Sequence, residues 1–223
     1  MSAERISIVV DDATRVSGLL QRPAHAHTCY VFAHGAGAGM AHPFMSAVAD
    51  GLAERDIATL RYQFAYMERG SKRPDAPPLT HAVVRAAVAR AQQLVPDLVL
   101  VAGGKSFGGR MTSQAQASAP LPGVRGLVFL GFPLHPAKQP SDTRAAHLVR
   151  IDIPMLFVQG TRDELADMNL LQPLVAGLGA RATLVALEHA DHSLHVPVRS
   201  GRTDAQVLAQ ALDTIAQWCA PLA

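Results

Sequence analysis

The chain has 223 residues, of which 49% are hydrophobic and 17% charged, a composition typical of one folded domain rather than of a disordered segment. Twenty Lys and Arg residues against 18 Asp and Glu leave a net charge of +2, too small and too scattered for a nucleic-acid-binding surface. We find no readable signal peptide or membrane span, and Cys29 and Cys219 suit reduced, buried side chains. We expect a single cytoplasmic domain over residues 1–223, monomeric or homodimeric, with no membrane or nucleic-acid partner.

The first predicted elements are two short strands, 6–10 and 16–20, that form an antiparallel hairpin at a sheet edge. A third strand, 29–33, ends in a loop rich in glycine. Apolar residues at a four-residue spacing then predict a helix over 43–55, and the next strand is 57–62.

Further along the chain, Thr80 is expected to cap a helix that ends near Val95. Strands are predicted at 98–102, 124–130, 155–159 and 182–187. Pro173 is expected in the first turn of the helix after residue 163, or to break it, and Gly179 to stop it. Thr203 with Gln206 predicts a capping box before the last helix.

This alternation of strands with helices predicts a three-layer α/β/α sandwich. Its sheet should be mostly parallel, with the hairpin as an antiparallel N-terminal edge. Only about 23 residues, 131–153, separate the predicted strand 124–130 from the predicted strand 155–159. This segment has room for at most a short helical flap over the sheet edge.

A Gly-x-Ser-x-Gly pattern, Gly-Lys-Ser-Phe-Gly over 104–108, directly follows the buried strand 98–102. Such a pattern predicts a tight strand-to-helix turn that holds Ser106 in a strained conformation, with glycines where larger residues would collide. The plainer alternative is that Ser106 only caps the following helix.

Complementary side chains follow other predicted strands, at the sheet edge where sites of α/β proteins form. Asp163 and His192 come after Ser106 in the order nucleophile, acid, base. His192 would take the proton of Ser106, and Asp163 would orient and stabilise the imidazole. The amides of Ala36 and Phe107 are the predicted oxyanion hole.

Other residues are expected to line the site or are alternative candidates for its acid and base. The residues expected to line the substrate pocket are Gly35, Gly37, Lys105 and Tyr66. The rivals of Asp163 are Asp142, Asp167 and Asp191, and those of His192 are His189 and His195.

We predict no metal, because adjacent loop residues rarely converge on one ion without a distant ligand. His34 is expected to brace the oxyanion loop. Arg110 is expected to pair with a carboxylate, the alternative being contact with an anionic substrate.

Two segments resemble phosphate-binding loops, but each lacks a glycine that the motif requires. Gly-Lys-Ser at 104–106 imitates the end of a Walker sequence, but Val99 stands where that sequence requires glycine. Gly35 and Gly37 begin a dinucleotide fingerprint, but Met40 occupies the third glycine position. No cofactor is therefore predicted.

These motifs resemble the α/β-hydrolase superfamily over nearly the whole chain. Residues 104–110, 160–164 and 191–193 are similar to its compact dienelactone-hydrolase-like branch. Residues 61–66 and 131–136 resemble the branch related to a subunit of a histone-acetyltransferase complex and its bacterial relatives. The resemblance implies hydrolysis of small carboxylic esters or thioesters through an acyl-enzyme.

One departure from that branch concerns the substrate. True dienelactone hydrolases use cysteine as the nucleophile, whereas this chain has Ser106, so dienelactone is not the expected substrate. The resemblance also allows an alternative from another class, an inactive scaffold that serves protein–protein contact.

Overall fold

Eight mainly apolar segments form the strands of one sheet in the computed structural model, which describes residues 2–222. Residues 1 and 223, the two ends of the predicted domain, lie outside the described residues. The strands are β1 (Glu4–Val9), β2 (Arg15–Gln21), β3 (Thr28–Ala33), β4 (Ile57–Tyr62), β5 (Val99–Lys105), β6 (Val124–Leu130), β7 (Met155–Gly160) and β8 (Ala182–Leu187).

The strand order across the sheet is β1-β2-β4-β3-β5-β6-β7-β8. β2 pairs antiparallel with both β1 and β4, and every other neighbouring pair is parallel. The predicted fold class is confirmed, including its antiparallel N-terminal edge.

Helices cover both faces of the sheet. They are α1 (Pro43–Ala53), α2 (Ala65–Glu68), α3 (Pro77–Leu94), α4 (Phe107–Ser118), α5 (Met168–Gly177) and α6 (Asp204–Cys219). Alternate residues of β3 separate the two layers: Tyr30 and Phe32 pack with α1 and α6, and Val31 packs with α3 and α4. This two-residue period is the expected geometry of a strand buried on both faces.

Two helix predictions are wrong for the same kind of reason. α3 begins at Pro77 rather than after Thr80, because consecutive prolines have the backbone φ of a first helical turn and need no amide partner there. α5 continues through Pro173. Pro173 and Asn169 are both exposed, so water can hydrate the Asn169 carbonyl that a proline cannot bond.

Other local signals are confirmed. Gly179 follows the end of α5 with φ of 65°. The capping box of α6 has both its bonds, 3.2 Å from the Gln206 amide to Thr203 Oγ1 and 2.9 Å from the Thr203 amide to Gln206 Oε1. Between β6 and β7 the helical structure is limited to two short 3₁₀ turns, Thr143–Ala145 and Leu148–Arg150, within the described chain. Over residues 2–222, no helix has the length and apolar character needed to cross a membrane.

Candidate active site

Ser106 is the single residue between β5 and α4. Its backbone has φ of 51° and ψ of −116°, a conformation that side-chain-bearing residues rarely adopt. The Ser106 amide donates a 3.1 Å hydrogen bond to the Leu130 carbonyl, and its own carbonyl accepts one of 3.1 Å from the Arg110 amide. The turn therefore presents the serine side chain at the carboxyl edge of the sheet.

Close backbone contact explains the glycines on either side of Ser106. A Cβ atom at Gly104 would lie 2.4 Å from the Ala33 carbonyl oxygen, and one at Gly108 would lie 2.6 Å from the same oxygen. Such distances are too short for non-bonded atoms. The end of β3 thus passes directly against the turn that carries Ser106.

His192 joins Ser106 to Asp163. Its Nε2 atom lies 2.8 Å from Ser106 Oγ, and its Nδ1 atom lies 2.6 Å from Asp163 Oδ2. The His192 side chain is 25% exposed, whereas that of Asp163 is fully buried. The fold therefore brings together three side chains that lie 86 and 29 residues apart in the sequence.

Asp163 is held by two further donors. Gln159 Nε2 donates to Asp163 Oδ2 at 2.6 Å, and the Leu165 amide donates to Oδ1 at 2.8 Å. Gln159 is itself buried, and its Oε1 accepts from the Phe132 amide at 2.8 Å. Gln159 was not among the predicted site residues. The available signal was one polar residue in the otherwise apolar strand β7, four residues before Asp163.

The rival acids and bases have other partners. Asp167 caps α5 by accepting from the Asn169 amide at 2.8 Å, as expected of a residue that begins a helix. Asp191 accepts from the amides of Ser193 and His195 and shapes the loop that carries His192. The His195 side chain pairs with Asp204 at 2.9 Å.

The remaining rivals lie apart from these contacts. Asp142 is exposed before the first 3₁₀ turn. The His189 amide donates to Thr161 Oγ1 at 2.9 Å. Across residues 2–222, no three His, Cys, Asp or Glu side chains cluster closely enough to hold a metal ion.

His34 links the loop after β3 to residue 64. Its Nδ1 donates to the Gly35 carbonyl at 2.7 Å, and its Nε2 accepts from the Phe64 amide at 3.1 Å. Burial lowers the pKa of His34 to about 4, so the ring is neutral near pH 7. The expected bracing contact of His34 is confirmed.

Tyr66 fastens the same loop from the other side. Its hydroxyl accepts a 3.2 Å hydrogen bond from the Gly37 amide, and its fully buried ring packs edge-to-face against Phe107. The backbone amides of Ala36 and Phe107 have no backbone acceptor among the described residues. Both residues lie beside Ser106 in one cleft, which leaves these two N–H groups available to a bound ligand.

Lys105 lies behind His192. Its Nζ atom donates to the His192 main-chain carbonyl and lies 5.7 Å from the centre of the Phe44 ring. Burial lowers the pKa of Lys105 to about 8, while Asp163 and Asp191 partly oppose that shift. The ammonium group therefore binds the loop that carries His192. Lys105 as a whole residue is only 9% exposed.

Two clefts meet at Ser106 and Ala36. The first, which we call the basic cleft, has a volume of about 490 Å³ and includes Arg110 and Arg144. The second, the apolar cleft, has a volume of about 460 Å³ and includes Phe44 and Met45. A ligand at Ser106 would therefore have space on either side of the serine.

The expected ion pair of Arg110 is wrong. No carboxylate in residues 2–222 forms a salt bridge with Arg110. Its guanidinium carbon instead lies 5.9 Å from the centre of the Phe107 ring, and its Nε is buried without a hydrogen-bond partner in the described chain. The helix places Arg110 one turn after Ser106, where its side chain lines the basic cleft rather than meeting an acid.

A comparison with protein families identifies the architecture around this site. A family model described as an alpha/beta hydrolase domain matches residues 26–220. The chain belongs to the α/β-hydrolase family. The superfamily part of the sequence resemblance is thereby confirmed.

Several solved structures match almost the whole of this α/β-hydrolase. Dienelactone hydrolase from Anabaena variabilis is 20% identical, with a TM-score of 0.76 over 98% of this chain and 96% of that chain. A Xanthomonas campestris protein described as a serine hydrolase without a lid is 17% identical, with a TM-score of 0.76 over 98% and 95%. An esterase domain from Rhodothermus marinus is 16% identical, with a TM-score of 0.72 over 98% of each chain. At these identities the likeness supports the shared fold.

Proposed function

We propose that this α/β-hydrolase is a cofactor-free serine hydrolase that cleaves small carboxylic esters or thioesters, and that residues 1–223 act as one domain. The observation that carries the proposal is the continuous hydrogen-bonded series from Ser106 through His192 to Asp163, with distances of 2.8 and 2.6 Å. An unassisted serine hydroxyl is not ionised near neutral pH, so a base in direct contact is what makes it a nucleophile.

In the first half-reaction, Ser106 Oγ attacks the ester carbonyl carbon while His192 Nε2 accepts the hydroxyl proton. The carbonyl oxygen becomes negatively charged and accepts hydrogen bonds from the amides of Ala36 and Phe107. The intermediate then expels the alcohol or thiol, which takes the proton from His192, and the acyl group remains on Ser106.

In the second half-reaction, water replaces the alcohol. His192 accepts a proton from the water as it attacks the acyl-enzyme, and Ser106 regains a proton when it leaves. Throughout both halves, Asp163 accepts from Nδ1 of His192 and stabilises the imidazolium that forms. Because Gln159 and the Leu165 amide hold Asp163, the carboxylate keeps its orientation toward the ring.

The predicted pocket residues have distinct parts in this proposal. Gly35 and Gly37 form the loop that carries the Ala36 amide, and Tyr66 fixes that loop through Gly37. Lys105 contributes its aliphatic side chain to the wall of the apolar cleft, while its ammonium holds the loop of His192. The similar proteins described as a serine hydrolase and an esterase agree with this reaction class. The likeness to the branch related to a histone-acetyltransferase complex stays a prediction based on residues 61–66 and 131–136.

The test is hydrolysis of p-nitrophenyl acetate by the wild type and by Ser106→Ala. The substitution should lower the rate by about 10⁴-fold or more, since loss of a triad nucleophile has effects of that order. Ser118→Ala, at the far end of α4, serves as the matched control and should keep its activity. A fluorophosphonate probe should label Ser106. Absence of both labelling and hydrolysis in the folded wild type would instead favour the scaffold function.

A further inference from the structure

The basic cleft contains two arginine side chains directly beside the proposed nucleophile. Arg110 comes from α4 and Arg144 from the first 3₁₀ turn between β6 and β7, and both line the same space as Ser106. Both side chains are half-buried. Two separate segments of the chain therefore place positive charge on one side of the reacting group.

The other ionisable groups around this cleft leave its lining with a net positive charge. Asp75 also lines the cleft: its Oδ1 pairs with Arg69, which lies outside the lining, and its Oδ2 is buried without a hydrogen-bond partner in residues 2–222. Two arginines against this one carboxylate leave an excess of one positive charge. His147 packs nearby with its Nε2 atom 2.7 Å from Ser113 Oγ, and burial, with Arg150 and Arg110, lowers its pKa to about 4. Burial likewise lowers the pKa of His81, whose Nε2 lies 3.4 Å from Gln114 Oε1. Neither histidine supplies a negative charge.

Arg110 is the better defined of the two arginines. Its guanidinium lies over the Phe107 ring, and its buried Nε lacks a partner in residues 2–222. Burial and the neighbouring charge of Arg144 both lower the pKa of Arg110. A buried donor without an acceptor and two facing cations both cost free energy, and an anion bound between them would offset both costs.

The two clefts also differ in what they can accept. The apolar cleft offers Phe44 and Met45, and its one ammonium, on Lys105, already donates to the His192 carbonyl. The basic cleft offers two guanidinium groups, whose planar N–H donors match the geometry of a carboxylate. A charged substituent is therefore stabilised on one side of Ser106 only.

We propose that the basic cleft binds a carboxylate carried by the substrate, so that the preferred substrates are carboxylate-bearing esters. This inference rests on the proposed hydrolase function and deepens it. Arg110 and Arg144 would each donate to the carboxylate, which holds the ester carbonyl near Ser106. The carboxylate could belong to the acyl part, as in a half-ester of a dicarboxylic acid, or to the alcohol part, and the experiment separates these two sources.

The experiment compares kcat/KM for two matched pairs of esters. Monomethyl adipate against methyl hexanoate tests a charge on the acyl side, and 3-acetoxybenzoate against phenyl acetate tests one on the alcohol side. In at least one pair the charged ester should be preferred. Arg110→Gln and Arg144→Gln should each lower that preference by about 10- to 100-fold, as expected for the loss of a hydrogen bond between charged groups.

Arg125→Gln is the matched control, because it makes the same change of charge at an exposed residue at the opposite end of β6. It should leave the preference unchanged. Equal losses for charged and neutral esters in Arg110→Gln, or no preference in the wild type, would overturn the proposal while leaving the hydrolase function intact.

A binding measurement separates failure of this inference from failure of the proposed function. Calorimetric titration of Ser106→Ala with adipate should detect binding that Arg110→Gln, introduced into the same variant, weakens by about tenfold or more. Binding of adipate without any ester hydrolysis by the wild type would refute the hydrolase function alone. Hydrolysis of neutral esters without adipate binding would refute the carboxylate site alone.

Discussion

The ammonium group of Lys105 donates a hydrogen bond to the main-chain carbonyl of His192, the residue whose ring contacts Ser106. Lys105 and Ser106 are adjacent in the chain, so the end of β5 supplies both the proposed nucleophile and a contact that holds its base. Lys105 is a buried residue, and its ammonium places a positive charge near the pair formed by His192 and Asp163.

We predict that Lys105→Met lowers kcat/KM by about tenfold. The rate falls because the loop of His192 loses a charged hydrogen bond. Lys105→Arg keeps a charged donor and should lose less activity. An unchanged kcat/KM in Lys105→Met would limit Lys105 to packing.

Asp163→Asn should lower kcat on p-nitrophenyl acetate by about 10³- to 10⁴-fold, because the amide fills the same space but favours the wrong tautomer of His192. It should also lower stability, because its NH2 group would face the N–H donor of either Gln159 or Leu165. Steady-state kinetics and urea unfolding measure the two effects. Asp167→Asn is the control, since asparagine also caps a helix and this carboxylate contacts α5. Similar kinetics in the two variants would contradict the assigned role of Asp163.

His34 should make the free energy of unfolding depend on pH. The unfolded histidine binds a proton below its ordinary pKa of 6.5, whereas the folded one does so only near its pKa of about 4. The stabilisation is therefore complete above pH 6.5 and is lost as the pH falls toward 4, by about 3 kcal/mol in total.

Urea unfolding near pH 7 and near pH 4 measures this loss. His34→Gln should lower stability near pH 7 and show a smaller loss on acidification than the wild type. His25 is exposed, so His25→Gln should show the wild-type loss. An equal loss on acidification in all three proteins would contradict the lowered pKa of His34 in the folded state.

Gly108→Ala should destabilise the protein by about 1–3 kcal/mol, because its Cβ would meet the carbonyl oxygens of Ala33 and His34, each at 2.6 Å. Activity should fall with it, since those residues lead into the loop of Ala36. Gly177→Ala offers a contrast of opposite sign: a Cβ there meets nothing within 4 Å, and alanine favours the helix by about 0.5–1 kcal/mol. Equal stability of the two variants, measured by urea unfolding, would refute the close contact at Gly108.

The strand pattern and the positions of Ser106, Asp163 and His192 were readable from the chain alone. Each of these residues lies within a short loop or turn after an apolar run, and the carboxyl ends of parallel strands share one edge of a sheet. Where the local reading was wrong, at Thr80 and Pro173, solvent exposure or a neighbouring proline outweighed the usual preference of a single residue.

The charges around the site were decided by the tertiary structure. Periodicity cannot show that Arg110 lacks an acidic partner, that Arg144 approaches it from a segment with no regular pattern, or that Gln159 turns inward to hold Asp163. These contacts join residues far apart in the chain, and their energies depend on distance and burial. The sequence alone therefore determined the succession of strands along the chain and the chemistry available at their ends, whereas folding decided the order of strands across the sheet and which charges meet beside Ser106.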